Sequence, residues 1–465
     1  MYHNYNKECL PTYILLNYLL NQLLPYCINS TMPNYGGVPL DKFSSTCLYF
    51  GTSLAIARDA AHLPPTPLGL IHTAWGGSMI EQWLTDEEIA ACEGSSIQDH
   101  NAMLYDTAVQ PYLDMTVKVC YRMIIYYFLS FPFLSLLTYL LTYLLTWKGW
   151  VYYQGENNCG GLHVSYACMM PKLVSLFRER WAKTPGTTSA SAPFGIVSLS
   201  SHDSEGAADM ASFRWAQQGS YGTLPNKAMA NTFMAHAFDL QDPWNGNTGA
   251  CVTHPLPGYD CSTPWFMGPG IHPRLKKPVG QRLALGAMAH AYGTGAGTAG
   301  GVISGCSLKS SSSSSSNDSE ELEASVLTLT FAMPAGRALK LRPYNQSNVA
   351  LSAASVLYNG SWISVHLATL GGTSIGVVLP RGVNAPTAVR YAWGATGGDK
   401  KGTSPNGGDI SCCEGDGRDA PCLMMQCPLH AVEPLAPFGG LPVDPFLAEI
   451  VGGKCVCPSP QICDE

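Results

Sequence analysis

Charge is what this chain has least of: only 13% of its 465 residues are Asp, Glu, Lys or Arg, and the net charge is −7. Binding a nucleic-acid backbone calls for a clustered basic face, so no nucleic-acid partner is expected. A Walker phosphate loop and a His-Glu-x-x-His zinc site are also missing, and no metal or organic cofactor is expected. The 17 cysteines include no C-x-x-C pair at finger-like spacing. Cys412, Cys413, Cys422, Cys427, Cys455, Cys457 and Cys463 crowd the last stretch among Pro, Gly and Asp. A metal cluster is one reading of that crowd, and loops stapled by disulfides in a secreted protein is the other, preferred one. Glycosylation sequons at Asn29, Asn317, Asn345 and Asn359 agree with a secretory route. A signal peptide, however, is not visible. Met1–Cys9 is polar with one Lys, and the apolar stretch Tyr13–Tyr26 is short and interrupted by Asn17 and Asn21.

Apolar residues are plentiful, at 46%, and the length suggests two domains. From Leu68 to Tyr292 short apolar strands alternate with helical stretches. Leu68–Thr73, Gly149–Tyr153, Gly195–Leu199 and Phe233–Phe238 read as strands; Met79–Cys92, Tyr166–Trp181 and Val279–Tyr292 read as helices. That alternation implies an α/β domain with a parallel sheet covered on both faces. The Gly-rich and then Ser-rich stretch 293–323 reads as a linker. Residues 324–395 show the alternation of a small β domain, with strands at Val326–Phe331, Ala353–Tyr358, Ile363–Leu367 and Ile375–Leu379. The tail 396–465 reads as Cys-rich loop, and 1–42 as a separate N-terminal segment.

Met123–Trp147 carries no charge and is long enough to cross a membrane. Two features favour another reading. Leu-Thr-Tyr-Leu repeats from Leu137 to Leu144, which is what a simple four-base repeat, CTTA, encodes. The flanking segments, ending at Lys118 and resuming at Gly149, also read as parts of one domain, and a spanning helix would put halves of one sheet on opposite sides of a bilayer. Residues 119–148 are therefore read as an intron-like insert, and no membrane partner is expected.

Two formal motifs fail on context. Gly372-Thr-Ser374-Ile-Gly376 fits the G-x-S-x-G elbow, but Val377-Val-Leu-Pro-Arg381 next to it reads as a strand ending in a turn, where the elbow needs a helix. Gly295, Gly297 and Gly300 fit G-x-G-x-x-G, but a helix and not a strand precedes them. Three other stretches are more informative. Leu68 to Trp83 is a strand, a Gly turn and a helix start; Gly76 and Gly77 can present N–H groups to a developing oxyanion, or simply form a strand–helix turn. Gly149 to Asn158 ends a strand in polar groups, at the edge where parallel sheets place active sites. There Asn157 or Asn158 can donate to an oxyanion, and Gln154 and Glu156 can orient or bind a substrate; a polar turn is the plainer alternative. His272, in Gly270-Ile-His-Pro-Arg274, can serve as general base or play a structural part.

Together these stretches resemble the sialate O-acetylesterases, within the SGNH-type esterases. Trp75-Gly-Gly-Ser-Met-Ile-Glu-Gln-Trp83 is similar to the family's WGG-x-x-I-E-x-W block. Leu104–Lys118 is similar to its LYNAMIHPL segment, which in the family runs straight into the block matched here by Gly149–Asn158. Phe213-Arg-Trp-Ala-Gln217, Asn231–Met234, Ile271–Arg274, Val389–Trp393 and Cys427–Leu429 also match. The resemblance implies a three-layer α/β esterase domain over 43–292 with a small β domain appended. It implies removal of O-acetyl groups from sialic acid or another acetylated sugar, in a secreted or lysosomal setting. It assigns the base to His272, its acidic partner to Asp239 (with Asp242 and Asp260 as alternatives), and the oxyanion site to Gly76, Gly77 and Asn158. Substrate contacts fall to Gln154, Glu156 and Arg214, whose guanidinium would suit a sialic acid carboxylate unless it pairs with Asp203 or Glu205. One departure is large: the family's nucleophile sits in a GQSNM-like block upstream of WGG, and the 465 residues contain none. An inactive sugar-binding protein, or a defective gene model, is the rival reading.

The insert reading makes a direct prediction. Peptide mass spectrometry of the native protein should find Lys118 joined to Gly149 or its neighbour, with 119–148 absent. Peptides from within Met123–Trp147 would refute it.

Overall fold

Parallel and antiparallel β structure divide the chain between them. The computed structural model describes residues 44–63, 68–92, 101–113, 149–159, 163–183, 188–200, 210–240, 272–273, 276–295, 297–309, 325–341, 353–393, 428–433, 436 and 440–456. Helix α1 (Ser45–Ala60) begins where the Ser44 hydroxyl accepts the Cys47 N–H, satisfying one of the donors a helix start leaves open. Then come α2 (Asp86–Ala90), β1 (Trp150–Tyr152), α3 (His163–Ala182), β2 (Phe194–Val197), α4 (Met210–Ala216), β3 (Thr232–Ala235) and α5 (Lys277–Tyr292). Strands β1, β2 and β3 lie side by side in that order and are all parallel.

Both β2 and β3 are buried along their whole length, as strands with two covered faces must be. The period of two sorts their side chains. Phe194 and Ile196 join a cluster with Tyr166, Met169, Leu173 and Phe177 of α3. Those four residues recur every three or four positions, the spacing of one helix face. Val197, Phe233 and Ala235 join a second cluster with Val279 and Leu283 of α5 and Leu54 of α1. Helix α5 lies close to the sheet because Gly286 has no side chain: a Cβ there would sit 2.1 Å from Phe233 Cδ2.

The second half is antiparallel. It comprises β4 (Val302–Lys309), β5 (Val326–Ala332), β6 (Leu339–Leu341), β7 (Ala354–Tyr358), β8 (Ser361–Ser364), β9 (His366–Gly371), β10 (Ser374–Val378), β11 (Ala388–Tyr391), β12 (Leu429–Val432), β13 (Gly440–Pro442), β14 (Phe446–Val451) and β15 (Lys454–Val456). Nine of these form one sheet in the order β8-β7-β11-β14-β15-β4-β5-β10-β9, and β13-β12-β6 form another. Alternate residues Leu327, Leu329 and Phe331 of β5 and Phe446, Ala448 and Ile450 of β14 fill one core. A disulfide, Cys306–Cys455, ties β4 to β15, and a second, Cys92–Cys168, ties the segment after α2 to α3.

Several sequence expectations need correction. Leu68–Thr73 forms no strand; it runs half-exposed into the Gly turn. Met79–Cys92 is not one helix but a 3-10 turn at Ile80–Trp83 followed by α2, the chain between them being extended at Leu84 and Thr85. The stretch 293–323 is not all linker, because it contains β4. Its pattern was hard to read because the register shifts between Ile303 and Gly305. Such a bulge changes which residues face the core, so the buried pair is Ile303 and Cys306 rather than two residues an even number apart. The tail 396–465 is not all loop either, since β12 to β15 lie within it. Ile363–Leu367 divides into β8 and β9 at Val365. The Gly372–Gly376 motif is the hairpin from β9 into β10, so Ser374 is a strand residue and no nucleophile elbow. The insert 119–148, the Ser-rich run, and Cys412, Cys413, Cys422, Cys427, Cys457 and Cys463 lie outside the described residues. Among the described residues no helix is long and apolar enough to cross a membrane.

Gly286→Ala should lower unfolding stability by about 1–3 kcal/mol, because a crowded core outweighs the gain in helix propensity. Chemical denaturation would measure it; an unchanged or higher midpoint would place α5 farther from the sheet than the structure does.

Candidate active site

The end of β1 and the turn ahead of the Ile80–Trp83 helix are knotted together by side-chain amides. Gln154 Nε2 donates to the Ser78 carbonyl at 2.8 Å and to Asn158 Oδ1 at 2.8 Å. Asn158 Oδ1 also accepts the Ile80 N–H at 2.9 Å, while its Nδ2 donates to Glu81 Oε2 at 2.9 Å. From the exposed side, Asn157 Nδ2 donates to the Gly77 carbonyl at 2.7 Å. Trp83 Nε1 donates to Ser78 Oγ at 3.1 Å. Gly77 takes φ +73°, a left-handed value that a side chain would strain, and the bonds from β1 hold it there. Gly76 and Gly77 are exposed, so this fixed turn faces solvent.

Beneath the turn the two amides meet neutral phenol donors on one side and the buried Glu81 carboxylate on the other. Tyr152 and Tyr166 hydroxyls both donate to Gln154 Oε1. Burial above all, with the nearby carboxylates of Glu81 and Glu156 adding to it, pushes both phenols well above their ordinary range. They therefore stay protonated as hydrogen-bond donors. Gln217 extends the network, donating to the Gln154 and Val197 carbonyls and accepting the Leu199 N–H. Glu81 Oε1 is buried without a hydrogen-bond partner.

The predicted site residues divide into two groups. Gly76, Gly77, Glu156 and His272 meet at one surface: His272 Nδ1 lies 4.0 Å from Glu156 Oε1, both side chains being partly exposed. The others face inward. Asn158, expected as an oxyanion donor, is 1% exposed, and its amide is engaged by the turn and Glu81. Gln154 is likewise buried, holding the turn rather than a ligand. Arg214, expected at a substrate carboxylate, is 1% exposed; it donates to the Leu199 and Ser200 carbonyls and lies over the Phe238 ring. Asp239, expected to orient His272, instead accepts two bonds from Arg282, at 2.6 and 2.7 Å, both side chains being buried. A guanidinium fork fits a carboxylate bidentately, and that geometry uses both of its oxygens. Asp242 and Asp260 lie outside the described residues. The common cause is burial: polar groups shut away from water must find their partners inside the protein.

Sequence reading missed a polar seam between the two halves. His236 Nε2 lies 2.8 Å from Asp444 Oδ1 and its Nδ1 3.2 Å from Ser198 Oγ. Thr223 Oγ1 donates to Asp444 Oδ2, and Trp215 Nε1 donates to the Pro445 carbonyl. By residue type this is a Ser-His-Asp set, but all three are buried, and Ser198 Oγ accepts the Ala237 N–H. It joins the halves. Only the long-range placement of Asp444, invisible to local pattern, creates it.

No family model matches the chain. It is 27% identical over 430 residues to human sialate O-acetylesterase, covering 90% of this chain and 63% of that protein. It is 29% identical over 284 residues to the rat sialate O-acetylesterase, covering 57% of this chain and 45% of that protein. The chain thus spans less than two thirds of the length of these relatives. The structure also resembles the crystal structure of a carbohydrate acetylesterase from Xanthomonas citri, with TM-score 0.51 and 19% identity over 86% of this chain and 64% of that one.

Asp239→Asn should destabilise the fold by about 3–5 kcal/mol, the usual cost of leaving a buried charge unpaired, here that of Arg282. Thermal or denaturant unfolding would show it. A stability within about 0.5 kcal/mol of wild type, the range of ordinary surface changes, would free Asp239 for a catalytic part.

Proposed function

We propose that this chain, a homologue of the sialate O-acetylesterases, carries the site of a carboxylic ester hydrolase that removes O-acetyl groups from sialic acids or related sugars. The observation that supports this best is the pairing of His272 with Glu156 beside the pinned Gly76–Gly77 turn, at the carboxyl end of a parallel strand. In this reading the first half is a three-layer α/β esterase domain. A serine hydroxyl attacks the acetyl carbonyl while His272 Nε2 takes its proton. The Glu156 carboxylate faces Nδ1, orienting the ring and stabilising the imidazolium. Glu156 fills the place that sequence reading gave to Asp239. Backbone N–H groups of the Gly turn hold the oxyanion. His272 then returns the proton to the departing sugar oxygen, and water, activated the same way, releases acetate. Arg214, Gln154 and Asn158 act through the walls of the site. The two disulfides support a secreted or lysosomal setting.

The nucleophile belongs to a Gly-Gln-Ser block, and the 465 residues hold none. A second reading therefore stands beside the first: the chain binds acetylated sugar without turnover. Ser78 favours it, being buried with its hydroxyl accepting from Trp83, and Ser198 is buried as well. Sequencing the transcript separates the two readings, since an upstream Gly-Gln-Ser block would complete the enzyme.

With that block present, acetate release from a 9-O-acetylated sialic acid should fall by about 10²–10⁴ in His272→Ala, the usual contribution of a general base. Glu156→Gln should fall less. Full activity in His272→Ala would place the base elsewhere.

A further inference from the structure

We propose that Trp75 is a stacking platform for the pyranose ring that carries the acetyl ester. The proposal deepens the esterase reading and rests on it. Trp75 is 63% exposed, the most exposed aromatic side chain among the described residues. Other described tryptophans are covered or held. Trp83 and Trp181 are buried; Trp215 donates to Pro445 and packs edge-on against Trp393; Trp362 lies under Arg390. An exposed indole is not unusual in itself; what marks Trp75 is where it stands.

Trp75 directly precedes Gly76 and Gly77, so its Cα lies within roughly 7 Å of the Gly77 Cα. The Gly77 carbonyl is bonded to Asn157, and the residue before Asn157 is Glu156, which faces His272. The indole therefore stands on the rim of the surface where acyl transfer is proposed. Space in front of the turn is open, since a Cβ built at Gly76 or Gly77 would meet nothing within 4 Å. Its exposed neighbours Ala74, Gly76 and Gly77 are small. No bulky side chain flanks the indole on either side in sequence, so a ring can approach its face past residues 74, 76 and 77.

The chemistry fits a pyranose. One face of the ring presents C–H groups polarised by the adjacent oxygens, and the face of an indole carries partial negative charge. Stacking buries the C–H face and leaves the hydroxyls and the acetyl group at the edge. The ester can then reach the Gly turn and His272. A rigid indole, with two side-chain torsions, gives up little freedom on binding.

Binding by the full chain tests this without any need for turnover. The probe is 9-O-acetyl-N-acetylneuraminic acid, followed by NMR. Its ring C–H resonances should move upfield, as they do over an aromatic face. Trp75→Ala should weaken binding about 10-fold, while Trp75→Phe should stay within about 2-fold of wild type. Trp75→Leu keeps the apolar bulk without the aromatic face and should behave as the Ala variant. Circular dichroism of each variant would confirm an intact fold, which the exposure of Trp75 leads us to expect. Equal affinity of wild type and Trp75→Ala overturns the platform and leaves the esterase reading standing. A wild-type chain that binds no acetylated sugar overturns both.

Discussion

The hydrogen bonds from Gln154 and Asn158 into the Ser78–Glu81 segment are the constraint on which the site depends. Segments 76 residues or more apart in sequence are joined there by two amides whose four polar atoms are all engaged. An amide at such a position has little choice. It sits at the end of a strand in a covered sheet, and a buried donor or acceptor left without a partner costs about 1–3 kcal/mol. Once Gln154 and Asn158 are satisfied, the turn has a single position relative to β1. Gly77 keeps its left-handed backbone, Gly76 and Trp75 stand in solvent, and the Glu156 carboxylate lies 4.0 Å from His272 Nδ1. Rigidity below the turn is what permits an exposed surface with fixed geometry above it.

A second constraint lies behind the first. The carbonyl of His236 accepts from Arg282, whose other bonds go to Asp239, and the His236 ring reaches Asp444. Helix α5, the end of β3 and the approach to β14 are therefore tied at neighbouring residues. Each group is charged or strongly polar and each is buried, so none is replaceable without leaving a partner unsatisfied. The antiparallel half thereby braces the end of β3, two strands over from β1 in the same sheet.

Legibility in the sequence depended on how local each cause is. The strands β1 to β3 and helices α3 and α5 could be read because their apolar periods are regular and unbroken. The strand β4 could not, since its bulge shifts the parity of Ile303 and Cys306, and its Gly and Ser content looks like linker. At the site, the residue types were legible and their directions were not. Gln154 and Asn158 were placed at the right strand end, and Arg214 on the helix α4, but all three face inward and not toward the surface. Whether an amide at a strand end faces ligand or core depends on what lies opposite, and that is contributed by Ser78, Ile80 and Glu81 from far away in sequence. Asp239 shows the same limit, because its partner Arg282 is 43 residues on.

These inward-facing groups change how the matched blocks should be understood. A polar residue in such a block invites a catalytic role, yet here the Gln154 and Asn158 amides bond each other and the Ser78–Glu81 segment. In the proposed esterase their effect on chemistry would run through geometry. A general base must meet its proton within hydrogen-bond reach, and an oxyanion donor must sit about 3 Å from an oxygen that exists only in transit. A misplacement of about 1 Å can cost on the order of 10² in rate. The Gly turn, being two residues without side chains, cannot fix itself to that tolerance. The buried amides can, because each is held by two or more bonds in a site that water does not reach. In that sense the network beneath the turn and the open surface above it are one device. The polar atoms inside supply the precision that the small, exposed residues outside require.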